Sequence, residues 1–218
     1  MGRGMDYIKE YEDLKLKSPI SNENFEVKVV SSVIDQNDIN LIYKSLSEKN
    51  FSFVQEATGQ KVWHDVLSDT IKNKIKEKAQ ESVAEELDLN DMEYSVVNYS
   101  FKNGYTPQLF PHYDTRDSQR ITFNVKIGEN FKWGIVVENK TYHLNAGEAI
   151  ILSGTQQQHW REKIEIAEND SIDMILCFFK YKEDKPLDEK HFEIMQSRTS
   201  FLQNALSNID PFVKDKNE

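Results

Sequence analysis

Between Met92 and Tyr181 the chain divides into about eight short segments that alternate apolar and polar residues or stay apolar throughout. They are Glu93–Ser100, Leu109–Asp114, Arg120–Ile127, Gly134–Glu138, Lys140–Leu144, Ala149–Ser153, His159–Ile166 and Ile172–Tyr181. Turn residues separate them at Asn103-Gly104, Gly128-Glu129-Asn130, Glu138-Asn139-Lys140 and Ala146-Gly147-Glu148. A strand sends successive side chains to opposite faces. About eight short strands at this spacing therefore predict two packed sheets, a jelly roll.

Upstream, Phe25–Val30 alternates and predicts a first strand. A helix is expected from about Asp38 to Lys49, capped by Asp35 or Asn37, with Ile39, Leu41, Ile42 and Leu46 as its apolar stripe. Phe51-Phe53-Val54 and Val62-Trp63-His64 are strand-like. From Ser68 to about Leu87 a second helix is expected, because Ile71, Ile75, Ala79, Val83 and Leu87 recur every fourth residue. Residues 6–16 are charged and weakly helical. Asp188–Leu206 predicts a C-terminal helix with Phe192, Met195, Phe201 and Leu202 as docking residues, a surface that could pair two chains as a homodimer. With no internal repeat or long linker, one domain over 1–218 is expected. It comprises a support region (1–90), a β core (92–182) and a C-terminal helix and tail (186–218). The fold class is mainly β with flanking helices.

The formal net charge of −10 argues against a partner bound through a phosphate backbone, which needs a basic surface. On that ground nucleic acid is an unlikely partner, a nucleobase staying open, and no membrane partner is expected, since no apolar run approaches the ~18 residues of a span. Cys177 is the single cysteine, so no intramolecular disulfide forms. Nothing near Met1 resembles a signal peptide, and a cytoplasmic location is the expectation.

The chemistry-bearing residues fall within the β region. His112 and Asp114 are two apart, which on an extended segment points both side chains to one face. His159 follows 45 residues after Asp114. Two imidazoles and one carboxylate can cap one face of an octahedral metal and leave three positions open, the facial triad of non-haem Fe(II) oxygenases. Arg161 lies two beyond His159, on the same face, and a guanidinium can grip a carboxylate bidentately. Arg120, Thr122 and Asn124 alternate with Ile121, Phe123 and Val125. Arg120 is thus a second cation candidate, and Thr122 and Tyr99 are candidate hydroxyl donors. Trp133 and Trp160 are pocket walls or core. His64, His143 and His191 are structural or surface residues.

The stretch from about Tyr99 to Tyr181 resembles the double-stranded β-helix core of the Fe(II)/2-oxoglutarate-dependent dioxygenases, most closely the prolyl-4-hydroxylase-like branch. The matching pieces are Tyr99, Gly104, His112-Tyr113-Asp114, Arg120–Val125, Leu144–Ile151 and His159-Trp160-Arg161-Glu162. The resemblance implies iron bound by His112, Asp114 and His159, and 2-oxoglutarate as co-substrate. It also implies hydroxylation of a small-molecule or peptidyl substrate. One departure stands out. The family's basic residue, about ten positions past the distal histidine, is missing from Ile166–Ser171. Either Arg161 or Arg120 replaces it, or the chain is a cupin-like jelly roll that binds a metal or ligand without oxygenase activity.

Overall fold

The computed structural model describes residues 25–109, 111–114, 120–138, 140–161, 166–183 and position 193. In chain order these contain β1 (Lys28–Val30), α1 (Gln36–Glu48), β2 (Phe53–Gln55), β3 (Gln60–Trp63), α2 (Asp69–Ser82) and β4 (Glu93–Ser100). Then come β5 (Ile121–Glu129), β6 (Ile135–Val137), β7 (Lys140–Tyr142), β8 (Ala149–Ser153), β9 (His159–Arg161) and β10 (Ser171–Phe179). Seven strands form one sheet in the order β1-β8-β5-β10-β4-β3-β2, and β7-β6-β9 form a second. Adjacent strands are antiparallel throughout.

Strand alternation sorts the side chains of the larger sheet into two cores. Ile121, Phe123, Val125 and Ile127 of β5 pack with Ile39, Ile42, Ile71, Ile75 and Ala79 from the helices. On the other face, Tyr99, Ile150, Leu152, Ile172 and Met174 pack against Ile135 and Val137 of the small sheet. Helices, large sheet and small sheet thus form three layers, and the expected jelly roll is the pair of sheets. Each fully buried Ile or Phe contributes about 1.5–3 kcal/mol to holding these layers together.

The helices begin where capping chemistry places them. Asp35 accepts from the amides of Asn37 and Asp38, and Asp38 answers with its carboxylate on the Asp35 amide. Asp38 also takes Lys74 Nζ of α2 at 2.6 Å, so one cap joins both helices. Leu41 is a correction to the expected stripe: it is 56 % exposed, since at 100° per residue it points away from Ile39 and Ile42. A second correction concerns α2, which stops at Ser82 rather than Leu87. There the Gln80 carboxamide takes the Leu87 amide and donates to Glu85 O, turning the chain out of the helix. Leu87 then bridges Tyr181.

Leu109–Asp114 forms no strand among its described residues; it meets β9 through the bridge His112↔His159 and through Arg161 N, which donates to Leu109 O at 2.9 Å. Pro111, which has no N–H to donate, interrupts the ladder just before His112. The Ala146-Gly147-Glu148 turn is real, and Gly147 is required there. Its φ is +85°, and a Cβ would lie 2.5 Å from Ile34 O. Helices expected over 6–16 and Asp188–Leu206 fall outside the described residues, position 193 apart. Among the described residues no helix is long and apolar enough to cross a membrane.

Candidate metal centre and the adjoining cation pocket

The bridge that ties the segment before β5 to β9 of the small sheet also builds the site. His112 N donates to His159 O at 3.1 Å, and His159 N returns the bond to His112 O at 3.0 Å. Directly opposed residues send their side chains to the same face, and the two imidazole centroids lie 4.2 Å apart. Asp114, two residues on, shares that face. Its Oδ1 is 3.8 Å from Nε2 of both His112 and His159. The three candidate ligand atoms lie within 4.8 Å of one another.

Neighbouring groups orient these ligands. His159 Nδ1 is 3.0 Å from Gln157 O. A carbonyl only accepts, so Nδ1 carries the proton and Nε2 turns its lone pair to the cluster. Thr122 Oγ1 donates to Asp114 Oδ2, leaving Oδ1 for the histidine side. The Asp114 amide is held by Gly154 O at 2.9 Å. Two imidazoles and a carboxylate oxygen suit a divalent first-row metal, and three protein ligands leave an octahedron half open. The residues present therefore fit iron of the facial-triad kind.

Arg161 stands next on the same face of β9. Its guanidinium is buried, with Nη1 donating to Trp133 O at 2.5 Å. It lies over the rings of Trp133 and Tyr99, at 5.0 and 5.6 Å from their centroids. The Tyr99 hydroxyl meets the side chains of both Arg161 and Gln60. Burial pushes the Tyr99 phenol up, and Arg161 opposes that rise. Burial likewise lowers the guanidinium below its ordinary value, with Tyr99 the main opposing influence. Arg161 Nε has no hydrogen-bond partner among the described residues. Among the described residues no carboxylate is ion-paired with Arg161, although the Glu129 charge acts on it, and a desolvated cation of this kind favours an anion beside it.

One residue of this pocket was not among the sequence candidates. Arg161 shares a narrow cavity with Lys126, Trp133, Tyr142, Leu144, Ile172 and Met174. Lys126 Nζ is buried there, donating to Leu144 O and pairing with Glu129. The signal was available: Lys126 continues the alternation Arg120, Thr122, Asn124 by one step. Ile172 and Met174 of β10 make that wall apolar.

The remaining candidates separate. Thr122 is turned onto Asp114. Arg120 is buried at the head of β5, its carbonyl taking the Gly154 amide at 3.1 Å, and it does not line the cavity. Trp133 is a cavity wall, whereas Trp160 lies on the opposite face of β9. His64 contacts Phe53 at the surface, with 5.9 Å between ring centroids. A wider groove of ≈ 480 Å³ runs between the start of α1, Lys74 and Asn145–Glu148, and no candidate site residue lines it.

No family model matches the sequence, and no curated protein matches it. Solved structures do share its fold. One is the non-haem alpha-ketoglutarate-dependent epimerase SnoN of nogalamycin biosynthesis, at 11% identity and TM-score 0.53, covering 83% of this chain and 94% of that one. Another is the viral collagen prolyl hydroxylase of Paramecium bursaria Chlorella virus-1 in complex with 2OG, at 10% identity and TM-score 0.52, with coverages of 72% and 96%. A third is a Pseudomonas putida prolyl-4-hydroxylase, at 10% identity and TM-score 0.52, with coverages of 81% and 100%. The fold of this chain is thus the double-stranded β-helix shared by these iron- and 2-oxoglutarate-dependent oxygenases, prolyl hydroxylases among them.

Proposed function

We propose that this protein is an Fe(II)/2-oxoglutarate-dependent oxygenase that hydroxylates a small-molecule or peptidyl substrate. The observation that carries the reading is the convergence of His112, Asp114 and His159 within 4.8 Å, two residues along β9 from the buried Arg161. In this reading His112, Asp114 and His159 hold the iron. Arg161 takes the distal carboxylate of 2-oxoglutarate, with the Tyr99 hydroxyl beside it and Lys126 adding positive charge to the same cavity. When bound, the iron and oxoacid together supply the activation of O2 that couples decarboxylation to succinate with oxygen insertion into a substrate C–H bond.

The chain's own residues supply position and exclusion. Gln157 O fixes the His159 tautomer, and Thr122 fixes the Asp114 carboxylate, so the ligand set needs little reorganisation. Trp133 and Tyr99, packed edge to face on each other, both lie against the guanidinium and keep water from it, which strengthens its hold on a carboxylate. Ile172 and Met174 give the cavity an apolar wall. The fold neighbours supporting this reading include a prolyl hydroxylase bound to a peptide and an epimerase bound to alpha-ketoglutarate and a nogalamycin compound.

The test is anaerobic titration of 2-oxoglutarate into Fe(II)-loaded protein, following the visible metal-to-ligand charge-transfer band. The band is expected in the wild type and absent in His159→Ala. Arg161→Ala should raise the oxoacid concentration required by at least about thirtyfold, the loss typical of one partner of a buried charge pair. Iron-loaded wild-type protein that shows no band would remove the oxygenase reading and leave the ligand-binding jelly roll.

A further inference from the structure

We propose that Glu129 is a stand-in carboxylate for the pocket of Lys126 and Arg161, the group that an incoming oxoacid replaces. It then sets how tightly, and how selectively, the pocket takes acids. The inference rests on the oxygenase reading above.

A β-bulge delivers this acid to the pocket. Ile121, Phe123, Val125 and Ile127 pack against the helices, so strict alternation would send Glu129 to that side as well. The pairing with β10 prevents it. Met174 pairs with Lys126, Asp173 with Gly128 and Ile172 with Glu129, which leaves Ile127 as an extra residue in β5. An extra residue re-aims the side chains that follow it. A Cβ on Gly128 would meet the Tyr43 hydroxyl of α1, on the helix side, so the next residue, Glu129, turns to the cavity. Glu129 and Lys126 thus stand opposite Ile172 and Met174, the β10 residues that wall the cavity. The Glu129 carboxylate pairs with Lys126 Nζ, and its charge also acts on Arg161.

The cavity measures ≈ 10 Å³, room for about one water, so a ligand carboxylate enters only if a wall moves. Lys126 and its partner form the wall that can. Glu129 ends β5 with its side chain 24% exposed, so it can turn to solvent and be rehydrated. Lys126 stays behind, buried and donating to Leu144 O. A buried ammonium stripped of its partner is costly, and a ligand carboxylate arriving on Lys126 restores the pair. One carboxylate is exchanged for another. Only an acid held at a second point wins that exchange. Glu129 is tethered three residues from Lys126, at an effective concentration that is roughly millimolar or higher. A simple carboxylate has nothing to offset this, whereas an oxoacid that also chelates the metal does.

The experiment is calorimetric titration of 2-oxoglutarate into the Mn(II)-loaded full chain, wild type and Glu129→Gln. Removing the internal acid should tighten binding at least about fivefold, the low end for two linked binding events, with Mn(II) affinity unchanged. 2-Oxopentanoate, which has a methyl in place of the distal carboxylate, should show no tightening. Binding of 2-oxoglutarate that is unchanged or weaker in Glu129→Gln overturns the proposal, because an acid that merely holds Lys126 in place would be missed. Tightening that extends equally to 2-oxopentanoate overturns it too, since the distal carboxylate would then not be the competitor. No binding to the wild type would sink the oxygenase reading and the inference with it. A crystal structure of the wild type with Mn(II) and 2-oxoglutarate gives a check that needs no variant. The distal carboxylate is expected on Lys126 Nζ with Glu129 turned to solvent; Glu129 still paired with Lys126 in that complex overturns the exchange.

Discussion

Thr122 selects which oxygen of Asp114 faces the histidines, through a single hydroxyl bond to Oδ2. Its replacement by Val keeps the shape and β-propensity of the side chain but frees the carboxylate to rotate. Thr122→Val is expected to weaken divalent metal binding by roughly 10–100-fold, the usual cost of removing a group that orients a ligand. Thr122→Ser should retain most of the affinity. Calorimetric titration with Mn(II) measures both, and equal affinities for all three proteins would show that the hydroxyl plays no part in positioning Asp114. Arg161 is a different kind of residue. It is buried against the rings of Tyr99 and Trp133 with Nε unpartnered among the described residues, and on the proposed function its loss should alter oxoacid binding while leaving metal binding in place.

At the scale of elements, β10 is fixed to its neighbours at an irregularity. The register between β5 and β10 shifts at Asp173/Met174. There Asp173 accepts from Asn98 at 2.6 Å and from the Tyr43 hydroxyl of α1 at 2.9 Å. Gly128 makes room for this clamp, since a Cβ would come within 2.0 Å of the Tyr43 oxygen. Gly128→Ala should therefore displace Tyr43 and lose its bond to the carboxylate, at a cost of about 1.5–3 kcal/mol. In a Tyr43→Phe background the same change should cost much less, and additive penalties in urea unfolding would refute this coupling. Burial raises the Asp173 carboxyl above its ordinary 3.8, against the lowering influence of its two hydrogen bonds. The folded state then holds a proton that the unfolded state has released. This contribution to stability falls as pH rises from 3.8 through the raised value. Asp173→Asn should flatten that part of the stability–pH curve, and an unchanged slope would assign it to another group.

For the whole molecule, the candidate metal centre lies where the segment leading into β5 meets the small sheet through the His112–His159 bridge. A metal bound there would tie the small sheet to the segment leading into β5, and ligands that bind only the folded state stabilise it. Mn(II) or Fe(II) at a hundred times its Kd is expected to add about 2.7 kcal/mol. For a chain of this size that corresponds to a rise of roughly 5–10 °C in Tm. Chelation should reverse the gain and His159→Ala should abolish it; a shift that survives His159→Ala would place the metal elsewhere.

Much of this architecture is a local property of the sequence. Alternation marks β4 and β8 to the residue, Asp35 and Ser68 mark the helix starts, and the H-x-D spacing with a distant histidine marks the cluster. The strands and helix starts depend on neighbours within a few positions, where period and capping chemistry dominate, whereas the cluster also draws on His159, 45 residues beyond Asp114. What escaped local reading depended on contacts between elements. The end of α2 was set by Gln80 reaching to Leu87, and the exposure of Leu41 by which helix face met the sheet. Thr122 became a positioning group because β5 passes behind Asp114. Lys126 became a pocket cation because β10 turns Ile172 and Met174 toward it. The sequence by itself determined which side chains share a face. Only the packing of two sheets decided which faces meet, because burial and electrostatic environment belong to pairs of elements rather than to either one.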